Sequence, residues 1–101
     1  MNILLVCAGG MSTSLLVERM RKEIEKRNLK DVKVDANAIE NLEKIIDDYD
    51  VILVGPQIRY KEPYIKNLCG EHKKPYTIIP PAIYGLVDEA RILDFALNFK
   101  K

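Results

Sequence analysis

Apolar residues fall along this chain in two rhythms. Ile3-Leu4-Leu5-Val6 and Val51-Ile52-Leu53-Val54 are unbroken runs, the second stopped by Gly55-Pro56. Short unbroken runs bounded by turn residues predict strands covered on both faces. Val32, Val34 and Ala36 alternate with Lys33, Asp35 and Asn37. That period of two predicts a strand with one wet face, at a sheet edge. Tyr76-Thr77-Ile78-Ile79 predicts a fourth strand, ended stiffly by Pro80-Pro81.

Longer segments between these runs follow a helical rhythm. Leu16, Met20 and Ile24 stand four apart amid charges and predict an amphipathic helix over 13–28, closed by Asn28. A short helix is predicted over 38–47 with Ile39, Leu42, Ile45 and Ile46 inward. Another is predicted over 59–70 with Pro63 in its first turn. A last helix is predicted over 85–99, with Leu86, Ala90, Leu93 and Leu97 as its stripe.

Strands and helices therefore alternate four times, which implies an α/β fold of parallel strands joined by right-handed crossovers. Putting the unbroken runs at the centre and the alternating strand at an edge gives the order 2-1-3-4, a flavodoxin-like sheet with helices on both faces. The 101 residues suit a single domain, 1–101. In such sheets ligands bind beyond the carboxyl ends of the strands, where connections leave for opposite faces. Here that point lies between the first and third strands.

Composition excludes more than it assigns. The chain is 48% hydrophobic and 31% charged with a net charge of +1, so nothing in its electrostatics calls for nucleic acid. No apolar run approaches the roughly 20 residues that cross a bilayer, no basic leader precedes Asn2, and direct membrane insertion is not expected. Cys7 and Cys69 fit neither a CxxC nor a zinc spacing, which points to a reducing, cytoplasmic setting.

The chemistry gathers at the end of the first strand, where Cys7 is followed by Ala8-Gly9-Gly10-Met11-Ser12-Thr13-Ser14 and then a helix. Unpaired amides at a helix start carry partial positive charge; they bind phosphate and favour thiolate over thiol. Gly9 and Gly10 let backbone approach an anion closely, and Ser12, Thr13 and Ser14 add hydroxyls. Taken alone, a strand-end cysteine is often only a small apolar residue, and a Gly-Gly-x-Ser-Thr-Ser stretch only a capped turn. Together, at the switch point, they read as a nucleophile in an anion cradle. Low-molecular-weight tyrosine phosphatases place Cys-x5-Arg-[Ser/Thr] on a similar sheet. Here the sixth residue after Cys7 is Thr13, so the bidentate clamp is missing and a phosphoryl carrier is favoured over a hydrolase.

At these residues the chain resembles the IIB component of the sugar phosphotransferase system, in its lactose/cellobiose/chitobiose group. The resemblance rests on Ile3–Ser14, on Val54-Gly55-Pro56-Gln57-Ile58-Arg59-Tyr60, and on Ile83-Tyr84-Gly85-Leu86-Val87-Asp88. It implies a relay in which a IIA phosphohistidine donates to Cys7. Phosphocysteine then passes the group to a sugar, of cellobiose, chitobiose or lactose type, held by membrane-embedded IIC. Cys7 would be the phosphorylation site and Ala8 through Ser14 its phosphate-binding loop. It also implies association with the inner membrane face through IIC, and the nearness of Met1 to the first strand predicts a free-standing IIB.

Gln57, Arg59, Tyr60 and Tyr84 are expected near the loop, as docking or supporting groups, with Tyr64 as a further rim residue. Cys69 is expected to be a buried structural thiol and His72 a solvated surface residue. Asp47, Asp48 and Asp50 read as turn residues away from Cys7, so no metal or cofactor is expected. Two other readings stay open: a Cys-dependent phosphatase or arsenate reductase, and a noncatalytic regulatory binding module.

Overall fold

The computed structural model describes residues 1–8, 12–86 and 88–98, with the side chains of residues 12–14 outside that description. Strands β1 (Asn2–Cys7), β2 (Lys33–Ala38), β3 (Val51–Val54) and β4 (Tyr76–Ile78) form a parallel sheet in the order β2-β1-β3-β4. The helices are α1 (Ser12–Lys26), α2 (Leu42–Ile45), α3 (Glu62–His72), α4 (Pro81–Gly85) and α5 (Glu89–Leu97). The order agrees with the patterning, because the two unbroken apolar runs occupy the central strands.

Alternation along those strands divides the core in two. Ile3, Leu5, Val51 and Leu53 meet Leu16, Val17, Met20 and Ile24 of α1 and Ile92, Leu93 and Ala96 of α5. Leu4, Val6, Ile52 and Val54 meet Leu42 of α2 and Ile65, Leu68 and Cys69 of α3 on the other face. Each fully buried aliphatic side chain contributes roughly 1.5–3 kcal/mol. Strand β1 is thus locked from both sides through Val6, the residue before Cys7.

Helix α1 keeps its predicted stripe and ends as Asn28 foretold. Asn28 takes a left-handed φ of 58°. The Asn28 amide donates to Glu25 O and the Leu29 amide to Ile24 O, both at 3.0 Å, which satisfies carbonyls that the helix end would leave bare. Arg27 next to it donates to Glu23 Oε2 and Asp94 Oδ1, each at 2.7 Å, and to Ala90 O at 3.3 Å, tying α1 to α5.

Three predicted helices have different shapes. The one expected over 38–47 is a short α-helix between two 3₁₀ turns, Ile39–Asn41 and Ile46–Asp48. Ile39, Leu42 and Ile46 point inward as expected, but Ile45 is only partly buried. The helix expected from residue 59 begins at Glu62, after a 3₁₀ segment Pro56–Lys61. Pro63 sits in its first turn, and it explains the delay. An α-helix from Arg59 would need the Pro63 N–H, which does not exist; the Glu62 amide bonds Arg59 O instead.

The predicted 85–99 helix is two helices. Pro81 starts α4 at its first turn, a position that tolerates the missing N–H. The chain then breaks, and Asp88 caps α5 by accepting from the Arg91 amide at 3.2 Å. The break takes Leu86 off the stripe, leaving it 78% exposed. Ile92, Leu93 and Ala96 form the buried stripe, with Leu97 partly buried beside it. The predicted end at residue 99 lies outside the described residues.

The acidic turn before β3 serves the opposite end of β1 from Cys7. The Asn2 amide donates to Asp50 Oδ2 at 2.7 Å, and its side chain to Asp48 O at 3.1 Å. His72, expected to be solvated, pairs with Asp47, Nδ1 to Oδ1 at 2.7 Å, because the end of α3 packs over the Ile46–Asp48 turn. Among the described residues no helix is long and apolar enough to cross a membrane.

Candidate functional site

Strand β1 comes to the surface at its carboxyl end. Ile3 through Val6 are fully buried, Cys7 is 6% exposed, and Ala8 is exposed. Cys7 is still within the ladder, opposite Ala38 of β2, so its Cα is fixed by the sheet rather than by a loop. Its thiol donates to the Asn37 carbonyl, Sγ to O at 3.7 Å.

Asn37 is itself anchored. Its Oδ1 accepts from the Ala38 amide at 2.8 Å and from Asn41 Nδ2 at 2.7 Å. This residue escaped the sequence reading, which took it only as the polar phase of an edge strand. The available signal was register: parallel pairing sets Asn37 opposite Val6, one step before the cysteine.

Of the predicted cradle, Gly9, Gly10 and Met11 lie outside the described residues. Ser12, Thr13 and Ser14 are the first three residues of α1, so their amides belong to the turn that has no intrahelical acceptors. The first turn of α1 holds no acidic residue. An acidic side chain is a favourable partner of a helix start, and the sequence places none in this turn.

The exit of β3 stands beside β1. The Gly55 amide donates to Val6 O at 2.9 Å, which carries the ladder one step past Val54. A Cβ on Gly55 would stand 2.7 Å from Gln57 Oε1, 3.4 Å from Val6 O and 3.8 Å from Tyr84 Cε2. Gln57 and Tyr84, from separate elements, therefore converge on a backbone spot that glycine keeps open. Arg59 and Tyr60 do not join them. Both are turned to solvent, Tyr60 with 71% exposure and Lys61 Nζ lying 5.9 Å from its ring centre. Tyr64 is exposed on α3.

The second thiol has no such setting. Cys69 is 1% exposed within the α3 core, and burial pushes its pKa from 9.0 up to about 11, as desolvation disfavours thiolate. It is the packing cysteine the sequence predicted. Among the described residues no group of three His, Cys, Asp or Glu side chains is placed to hold a metal ion.

Residues 2–95 match the family model for the PTS system lactose/cellobiose-specific IIB subunit. The chain belongs to that family. It is 31% identical over 101 residues to the galactose-specific EIIB component of the phosphotransferase system from Lactococcus lactis subsp. cremoris, covering 95% of this chain and 93% of the relative. It is 28% identical over 97 residues to the oligo-beta-mannoside-specific EIIB component of Bacillus subtilis, covering 96% and 93%. The solution structure of the cellobiose-specific phosphotransferase IIB component from Borrelia burgdorferi superposes with a TM-score of 0.82 at 36% identity, covering 97% of this chain and 89% of that one. The lactose-specific IIB domain from Streptococcus pneumoniae gives a TM-score of 0.88 at 18% identity, covering 100% and 98%, and shares the fold. IIB components are phosphotransferases of sugar transport, in keeping with the resemblance read from the Cys7 loop.

Proposed function

We propose that this IIB component carries a phosphoryl group on Cys7 between a IIA phosphohistidine and a sugar bound by membrane IIC. In the first step the Cys7 thiolate attacks phosphorus. The S–P bond forms as the N–P bond breaks, and the electron pair returns to the imidazole nitrogen. In the second a sugar hydroxyl oxygen attacks the same phosphorus. The O–P bond forms, the pair of the S–P bond returns to sulfur, and the hydroxyl proton leaves to a base. The loop Ala8 through Ser14 would hold the dianion in both steps.

The observation that carries this reading is the position of Cys7. It ends the central strand, at the point where β1 surfaces and the chain turns toward an α1 start free of acidic residues. Thr13 in place of an arginine supports transfer over hydrolysis, since no fixed cation would help water attack the phosphoryl group. A single IIB domain working at the cytoplasmic face, docked to IIC, fits that role. Relatives of nearly equal identity carry the names of different sugars, which supports assigning sugar choice to IIC rather than to the Cys7 site. Sugars of cellobiose, chitobiose or lactose type remain the proposed cargo.

The test is incubation with phosphorylated IIA, followed by mass spectrometry of intact protein and peptides. A single phosphoryl adduct on Cys7, absent from Cys7→Ser, is the expected result. Rapid release of inorganic phosphate would make the protein a phosphatase, and no label with any IIA would make it a binding module.

A further inference from the structure

The Tyr84 hydroxyl is buried and has no hydrogen-bond partner among the described residues. More than about nine in ten buried polar groups find one, and an orphaned hydroxyl forfeits its hydration without return. Tyr84 is therefore a group with an unfilled role, and its position says which.

Side chains on a strand alternate between faces. Ile3 and Leu5 pack with α1 and α5, so Cys7, two residues further, projects to the same side. Tyr84 packs against that same core. Laterally, Val6 pairs with Val54 and the Gly55 amide bonds Val6 O, which sets Gly55 beside Cys7 at the strand spacing of about 4.8 Å. The Tyr84 ring lies over Gly55 by its Cε2, the carbon next to the one that bears the hydroxyl. The orphaned hydroxyl and the sulfur thus share one face and neighbouring positions at the end of the sheet.

We propose that Tyr84 donates a hydrogen bond to a phosphoryl oxygen carried on Cys7. The inference rests on the phosphocysteine reading above and adds to it a specific side-chain donor. A phosphoryl group brings three acceptor oxygens to a place where no described residue offers the phenol one. The donor is neutral. It orients and stabilises the dianion through a charge-assisted bond without the fixed positive charge that Thr13 leaves out of the loop. Glycine at 55 is part of the device, because a side chain there would occupy the space between the Tyr84 ring, the Gln57 amide and the Val6 carbonyl.

Tyr84→Phe removes only the hydroxyl and keeps the ring, and it separates this role from packing. The measurements are the equilibrium of phosphoryl transfer from IIA, the ³¹P resonance of phosphocysteine, and the melting temperature of the unphosphorylated protein. We expect the equilibrium to move toward IIA by about tenfold or more and the resonance to shift. The unphosphorylated variant should melt at the same temperature as wild type or higher, since an orphaned polar group has been removed. An unchanged equilibrium with an unmoved resonance overturns the inference. A lower melting temperature of the unphosphorylated variant does so too, because the hydroxyl would then have a partner in the resting state. Failure of wild type to form phosphocysteine sinks the parent reading and this one together, whereas phosphocysteine indifferent to Tyr84→Phe sinks this one alone.

Discussion

The Cys7 thiol donates to the main-chain carbonyl of Asn37, and the Asn37 side chain fixes that carbonyl by accepting from the Ala38 amide and from Asn41 Nδ2. The sulfur is aimed by a neighbouring strand whose own end is clamped. Asn37→Ala leaves the carbonyl in place but unclamps it, and costs about 1 kcal/mol of stability, measurable by urea denaturation. Phosphorylation of Cys7 by IIA should slow. Asn37→Asp keeps the acceptor but adds a negative charge near the incoming dianion, so it should slow phosphorylation further while losing less stability. Equal rates for all three proteins would show that the clamp does not aim the thiol.

Cys69 predicts a loss of stability in alkali. Burial raises its pKa from 9.0 to about 11. Below pH 9 the thiol is protonated in both folded and unfolded chains, and its full contribution is present. Between pH 9 and 11 the unfolded chain gives up the proton while the folded chain keeps it, so unfolding gains about 1.4 kcal/mol per pH unit, roughly 3 kcal/mol in all. Cys69→Ala should flatten that limb of the stability curve. Native protein at pH 8 should also leave Cys69 unalkylated by iodoacetamide until urea unfolds it.

Arg27 predicts a failure of lysine to replace it. Its guanidinium reaches Glu23, Asp94 and the Ala90 carbonyl at once, and the two carboxylates raise its pKa further. Arg27→Ala should cost about 1–2 kcal/mol. Arg27→Lys should recover only part of this, since an ammonium lacks the planar fork that serves three acceptors. Thermal melts of the two variants check the order. Matching melts for Arg27→Lys and wild type would reduce the contact to simple charge.

The sheet was legible because its signal is redundant. Ile3–Val6 and Val51–Val54 are apolar on both phases, Val32–Asn37 on one, and that contrast alone fixes centre and edge. The place of Cys7 at the carboxyl end of β1 was legible for a similar reason, since the unbroken apolar run stops there. Helix ends were less so. The split at Leu86–Asp88 turns on Pro81 as a helix starter and Asp88 as a cap, and either residue can equally sit in a turn. The surface pair of His72 with Asp47 was not legible, because the two lie 25 positions apart in the chain and spacing carries no trace of such a contact. Asn37 was hidden likewise, since its place depends on register between segments; Tyr84 was expected near the loop, but its approach to Gly55 was not.

Strand β1 is greasy on both sides, with Ile3 and Leu5 in one core and Leu4 and Val6 in the other. A single-residue insertion or deletion ahead of Cys7 would therefore exchange one set of aliphatic side chains for another of similar bulk, and the domain could still fold. The sulfur, however, would emerge under α3 instead of beside α1 and Tyr84. On the phosphocysteine reading, chain length before the cysteine would set activity, and a folding assay would be nearly blind to it.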